Sequence, residues 1–335
     1  MAHYFQQFQQ PISAIELPTK FDYPFYYKPH PIAQLACQEL QEYLIHQTDF
    51  EHHFGLTNEY SSTPIGKMFG VLVVRNLDGE IGYLAAVSGK LANTNQHKKF
   101  VPPVFDMLNK DGFFLEQEER LNEINRILEK LEQNSAFIQL KENFDQIIVE
   151  TTQKIAHEKQ LLKDNKNKRK IRRETILPTL NEHEARLFEE DLIKQSLRDK
   201  YEFRKLNEEI ETEKKNFFHQ IHFFENEINR LKEERKTKSN SLQNQLFDQY
   251  QFLNKFKNKK GLREIFSTTV FQQPPAAAGE CAAPKLLQYA FSNNLEPICM
   301  AEFWWGDSPK SEVRKHGQFY PACTGKCEPI LSHML

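Results

Sequence analysis

With 335 residues, 44 Lys+Arg against 46 Asp+Glu and a formal charge of −2, the chain is long enough for two or three domains and has no global charge pulling it toward nucleic acid. Its longest apolar run, residues 69–74, falls far short of the ~20 residues a membrane-spanning helix needs, and 12 glycines and 5 cysteines exclude a collagen-like or disulfide-dense chain. The 27 phenylalanines argue against wholesale disorder. The first residues lack the basic start and apolar core of a secretory signal, and the cysteine count is odd, so a cytoplasmic protein without membrane or DNA partners is expected.

Residues 1–114 read as the first part of a globular body. Ile32, Leu35, Ala36, Leu40 and Leu44 recur at helical spacing between Pro31 and Gln47. Two β-rich runs flank Asp78-Gly79 and predict a hairpin over 67–90. Residues 115–258 differ: glycine is absent between Gly112 and Gly261, and Pro178 is the only proline. Leu121, Ile124, Leu128, Leu131, Phe137, Leu140, Phe144 and Ile147 step in heptad fashion. The stepping resumes at Leu187, Leu192, Leu197 and Tyr201, then at Phe217, Ile221, Phe224, Ile228 and Leu231. This pattern predicts a helix from Leu115 to about Arg172, about 85 Å long at 1.5 Å per residue, which reverses near Pro178 into an antiparallel coiled-coil hairpin. Residues 239–256 are expected to continue it or form a short extra helix.

Residues 259–335 return to globular composition: a linker-like 274–279, a helix over 283–291, a buried strand over 297–305 and a final helix. The expected fold is therefore an α/β body, a small sheet with flanking helices, interrupted by the long helical hairpin.

Cysteine spacing is the first candidate chemistry. Cys281 opens one predicted helix, and Cys323 and Cys327 open another some forty residues later. A hairpin, a helix with one ligand, a strand and a helix with a ligand pair is the layout of a zinc deaminase, in which three ligands hold Zn²⁺ and the fourth position takes water. Zinc on Cys281, Cys323 and Cys327 is the one cofactor suggested. The sequence departs from that family: Ala283 stands where the proton-moving glutamate belongs, the pair is spaced Cys-x₃-Cys, and strands after the last helix are not found. The alternative is three packed thiols in a degenerate fold.

Charge is the second. Lys163–Arg173 holds seven basic residues in eleven with one acid, near the expected hairpin tip, and Lys166, Lys168, Arg169, Lys170, Arg172 and Arg173 are candidates for gripping RNA phosphates. A solvated helix face is the bland alternative. The third is the run from Trp304 to Tyr320, where Lys310, Arg314, Lys315 and His316 interleave with aromatics that could stack bases or fill a core.

Several runs resemble the long N-terminal extension of a bacterial subgroup of RluA-type RNA pseudouridine synthases. They include 66–74, 82–90, 100–106, Gly279-Glu-Cys-Ala-Ala-Pro-Lys285 and on to Phe291, Ala301-Glu-Phe-Trp-Trp-Gly306, 308–323 and 325–335. The resemblance implies an RNA-modification setting: structured RNA (rRNA or tRNA) as partner, and a pseudouridine synthase catalytic domain in cis or trans. The catalytic His-Arg-Leu-Asp motif of that isomerase does not occur in these residues. The leading expectation is thus an RNA-binding accessory module for pseudouridine synthesis, itself non-catalytic and encoded alone or as one piece of a split gene. A divergent zinc-dependent deaminase-type hydrolase and a purely structural coiled-coil interaction protein are the alternatives.

Overall fold

The structure is a computed structural model, and it describes residues 3–21, 24–25, 28–57, 66–309 and 313–335. In chain order the elements are β1 (Gln6–Gln7), α1 (Pro31–His46), β2 (Lys67–Arg75), β3 (Ile81–Val87), α2 (Phe113–Glu132), α3 (Ser135–Thr175), α4 (Glu182–Gln249), β4 (Gln251–Leu253), β5 (Lys259–Gly261), α5 (Leu262–Ser267), α6 (Ala282–Ser292), β6 (Glu296–Trp305) and α7 (Cys327–Met334). They form two units: a body made of residues 1–118 and 239–335, and a helical unit of residues 119–238.

The body is built on an antiparallel sheet in the order β1-β3-β2-β6. Chain segments more than 200 residues apart meet in it, with Val71 opposite Ala301 and Leu72 opposite Met300. The expected hairpin is β2–β3, its turn made by Asn76, whose Oδ1 accepts from the amides of Asp78 and Glu80, and by Gly79 at φ +84°. Both sheet faces are covered, so β2 and β3 read as continuous apolar runs and not as an alternation. Phe69, Val71 and Val73 pack toward Ile32, Ala36 and Leu40 of α1. Leu72, Val74 and Met300 pack toward Leu286 and Leu287 of α6 and Ile330 and Leu331 of α7. Gly70 lets α6 lie close on the sheet, because a Cβ there would come within 3.0 Å of Ala282 Cβ and 3.2 Å of Leu286 Cδ1.

The body extends further into the chain than composition suggested. Phe247, Tyr250 and Phe252, within the stretch expected to prolong the helical hairpin, are buried in the body's core. After α4, residues 251–253 form a strand paired with β5.

In the helical unit, Phe137 stacks on Phe224 at 5.1 Å and Phe144 on Phe217 at 6.3 Å. Arg169 meets Asp199 and Arg173 meets Glu189, so partner numbers fall along α4 as they rise along α3 and the two helices run antiparallel. A 3₁₀ turn at Leu177–Thr179, with Pro178 in its first turn, joins them. The long first helix is in fact two. Asn134 accepts hydrogen bonds from the amides of Ala136 and Phe137 at 2.9 and 3.2 Å and so caps a new helix at Ser135. The buried seam is also narrower than the heptad pattern implied. Ile124, Leu128, Phe137, Ile221, Ile228 and Leu231 are buried in it, whereas Leu187, Leu197 and Tyr201 are more than half exposed. Leu192 at 0% exposure takes the inward position in that stretch, and the five-residue steps on either side of it turn Leu187 and Leu197 away from the seam.

Candidate metal centre

Cys281 occupies the N-cap of α6, Cys327 is the first residue of α7, and Cys323 lies in the turn before it. Both the amide of Cys327 (3.1 Å) and that of Glu328 (3.2 Å) donate to the carbonyl of Cys323, so the Cys-x₃-Cys turn folds back on itself. The three Sγ atoms lie within 4.8 Å of one another, and Cys323 and Cys327 are 3.4 Å apart. Tetrahedral zinc with Zn–S bonds of ~2.3 Å needs sulfurs about 3.8 Å apart, so the trio fits with small adjustment. Among the described residues no fourth His, Cys, Asp or Glu joins the cluster; a zinc ion held by three protein ligands would take a water in its fourth position. Cys323 is exposed and Cys327 buried, so the site has one open side.

The thiols are electrostatically coupled. Hydrogen bonds with Cys281 and then Cys327 push the Cys323 thiol far below its ordinary value; the bond with Cys323 raises Cys281, and the bonds with Cys281 and then Cys323 raise Cys327. Two helix N-termini facing the cluster favour the thiolate form that a metal requires.

Glu302, on β6, is buried beside the trio. Its Oε1 accepts from the amide of Ala283 at 3.3 Å, at the start of α6. Burial, followed by the negative charge of Cys323, raises its carboxyl to about 7, against the opposing pull of the Ala283 amide and Arg314. A carboxyl from the neighbouring strand thus lies at the start of α6, beside the Ala283 amide.

A second buried ionic group fixes α6 from behind. Lys285, 3% exposed, donates to the carbonyls of Val87 and Gly89 at 3.2 Å each and pairs with Glu280 at 3.3 Å. The Tyr250 hydroxyl donates to the other oxygen of Glu280. The loop after β3 is tied to both sides of Cys281: Gly89 N donates to Glu280 O at 2.8 Å, and Ala282 N to Ser88 Oγ at 3.1 Å.

The remaining sequence candidates separate. Arg314 lies over the ring of Tyr320 at 4.4 Å, and its field reaches Glu302, so it belongs to the centre's surroundings. Lys315 is exposed, its amide donating to the Tyr320 hydroxyl. His316 accepts from Gly306 N at 2.9 Å and packs on Trp305 at 4.2 Å, with its pKa lowered by burial. Trp304 and Trp305 are buried, which answers the choice between core and stacking platform in favour of core. Lys310 lies outside the described residues.

In the helical unit, several charges of the basic run have partners. Arg169 pairs with Asp199 at 2.5 Å, Arg173 with Glu189 at 2.8 Å and Lys170 with Glu174 at 3.8 Å, while Arg172 lies over Phe188 at 5.1 Å. Lys168 is exposed. Lys166 lines a cleft of about 580 Å³ together with Lys163, Arg169, Arg173 and Lys200, over Leu162, Ile193 and Leu197.

Sequence reasoning named the three thiols and missed Glu302, Glu280 and Lys285. Each had a signal: a lone acid inside the run Ala301-Glu-Phe-Trp-Trp305, and a lysine at the apolar face of α6 with a glutamate five residues before it. Comparison with protein-family profiles, curated proteins and solved structures finds no match to this chain. Among the described residues no helix is long and apolar enough to cross a membrane.

Proposed function

We propose that the chain is a zinc-dependent module of RNA modification, a hydrolase of the deaminase type. The observation that supports this most is the three-thiol cluster at two helix N-termini with a buried carboxyl beside it. Deaminase-likeness rests on the element order β2–β3, α6, β6, α7 with strand order β3-β2-β6. Zinc held by Cys281, Cys323 and Cys327 would supply an activated water for attack on an amino-bearing ring carbon. Glu302 has one oxygen fixed by the Ala283 amide, which leaves Oε2 to hold and release the proton such a reaction moves. A carboxyl poised near 7 serves that role, so the enzymatic reading gains over the non-catalytic accessory role.

RNA as the substrate class draws on the resemblance to the pseudouridine synthase extension and on the lysine-lined cleft of the helical unit, where Lys163, Lys166 and Lys200 would meet backbone phosphates. A pseudouridine synthase catalytic domain, in cis or trans, is the partner that the resemblance implies. The test is elemental analysis of the purified full chain after zinc loading and desalting. One zinc per chain is expected, lost in Cys281→Ser and Cys323→Ser and retained in Cys299→Ser, whose thiol packs on the opposite face of the sheet. A wild-type chain without metal, or one that keeps its zinc in both ligand variants, overturns the reading.

A further inference from the structure

Cys323 and Cys327 stand apart from the other thiols of the chain. Cys37 and Cys299 are buried in the core on the α1 side of the sheet, and Cys281 is half-buried at the start of α6. Cys323 is exposed, and its Sγ lies 3.4 Å from that of Cys327. The carbonyl of Cys323 accepts from the amides of Cys327 and Glu328, so the main chain holds the two residues one turn apart while Cys323 stays outside the helix. The segment Thr324-Gly325-Lys326 between them is loosely packed: Thr324 is exposed, and a Cβ built on Gly325 would meet nothing within 4 Å. A disulfide needs its sulfurs about 2.05 Å apart, so the turn must close by about 1.4 Å, and the open space at Gly325 leaves it room.

We propose that Cys323 and Cys327 are a peroxide-oxidisable pair, which closes to a disulfide and in that state excludes a metal from the three-thiol centre. Cys327 is buried, so peroxide reaches Cys323 first. The Cys323 sulfur attacks one peroxide oxygen; the O–O bond breaks, the sulfur becomes a sulfenic acid and the other oxygen leaves as water. The Cys327 sulfur then attacks the sulfenic sulfur; the S–S bond forms, the S–O bond breaks and a second water leaves. Two thiols thus give two electrons and two protons to one peroxide, with one disulfide and two waters as products. A dithiol reductant reverses the change by thiol–disulfide exchange. Oxidation leaves Cys281 as the one remaining thiol of the trio, too few ligands to hold zinc. This last consequence rests on the proposed function, which assigns zinc to the same three sulfurs.

The experiment uses the full chain, stripped of metal with a chelator, treated with hydrogen peroxide in molar excess, alkylated and digested with trypsin without reductant. Cleavage after Lys326 separates the peptides 316–326 and 327–335, so a bridge is read as their joined mass, two hydrogens below the sum. The joined species is expected in wild type, Cys281→Ser and Cys299→Ser, and is expected to vanish in Cys323→Ser and Cys327→Ser. Cys323→Ser changes an exposed position, which keeps a folded variant in the comparison. In Cys327→Ser, dimedone should trap Cys323 as the sulfenic acid. The oxidised, desalted wild type is expected to take up no zinc, and dithiothreitol to restore the uptake of the reduced chain. No bridge in wild type, or a bridge from Cys323 to Cys281, overturns the inference, as does a bridged chain that binds zinc like the reduced one. A bridge in a chain that binds no zinc in either state refutes the metal reading and keeps the oxidisable pair. Zinc uptake by a reduced chain that forms no bridge does the reverse.

Discussion

Replacing Lys285 by Met tests how the start of α6, with Cys281 at its N-cap, is held. Methionine matches the length of the side chain and removes its charge. The loss strips one ion pair at 3.3 Å and two hydrogen bonds at 3.2 Å. Glu280, 7% exposed, would be left with the Tyr250 hydroxyl as its remaining side-chain partner, and the carbonyls of Val87 and Gly89 would lose a donor. Removing one member of a buried pair typically costs ~3–5 kcal/mol, because the other charge stays behind without its partner. Set against a usual total of ~5–15 kcal/mol, that is a large fraction of the body's stability. Both tryptophans, Trp304 and Trp305, lie in the body, so their fluorescence follows its unfolding in urea without interference from the helical unit. With m near 1–3 kcal/mol per molar, the midpoint should fall by at least about 1 M. The double variant Lys285→Met/Glu280→Gln keeps a hydrogen-bonding group for Tyr250 and removes the stranded charge, so it should recover most of the loss. A single variant that costs under about 1 kcal/mol, or a double variant as unstable as the single, would refute the account of a charge held by its partner.

Two further expectations follow from particular residues. In chelated, metal-free protein, Glu302 titrates near 7 when folded against an ordinary 4.5. A raised carboxyl contributes stability that is fully present below about pH 4.5 and is lost as pH rises through about 7, roughly 3 kcal/mol in all, so in urea titrations from pH 4.5 to 8 the stability of wild type minus that of Glu302→Gln should decline by that amount. In the helical unit, Asn134→Ala removes the cap of α3, and thermal unfolding followed by helical circular dichroism should register a loss of about 1 kcal/mol, with Asn134→Ser close to wild type.

The parts of the fold that local chemistry dictates were legible in the sequence. Asp78-Gly79 marked the hairpin because a positive φ is needed there, and Pro178 marked the end of a helix because it lacks the amide donor. The three thiols were legible because ligand spacing at helix starts is a local pattern. What escaped depended on partners distant in sequence. The seam between α3 and α4 is chosen by which residues face a helix running the other way, so Leu187 and Tyr201 fitted the heptad pattern and still face solvent. Asn134 was legible in principle, since Asn followed by Ser is a capping signal, but the heptad pattern continuing on both sides of it masked the break. Lys285 is held in the core by the carbonyls of Val87 and Gly89, 198 and 196 residues earlier in the chain, and no local pattern announces those partners.

Glu302 makes the same point for chemistry. Proton transfer at a metal site requires a carboxyl oxygen at a place, and the chain can put it there from any element that borders the place. Gly70 on β2 is the cross-strand partner of Glu302, and Glu302 Cγ lies 3.3 Å from where a Cβ on Gly70 would be. The glycine at 70 and the acid at 302 are therefore one arrangement: a side chain at 70 would crowd the Glu302 stem, while the Ala283 amide fixes its carboxyl. A motif that looks for glutamate two residues after Cys281 meets Ala283, and under the proposed function Glu302, 19 residues further along the chain, would take that place from the neighbouring strand.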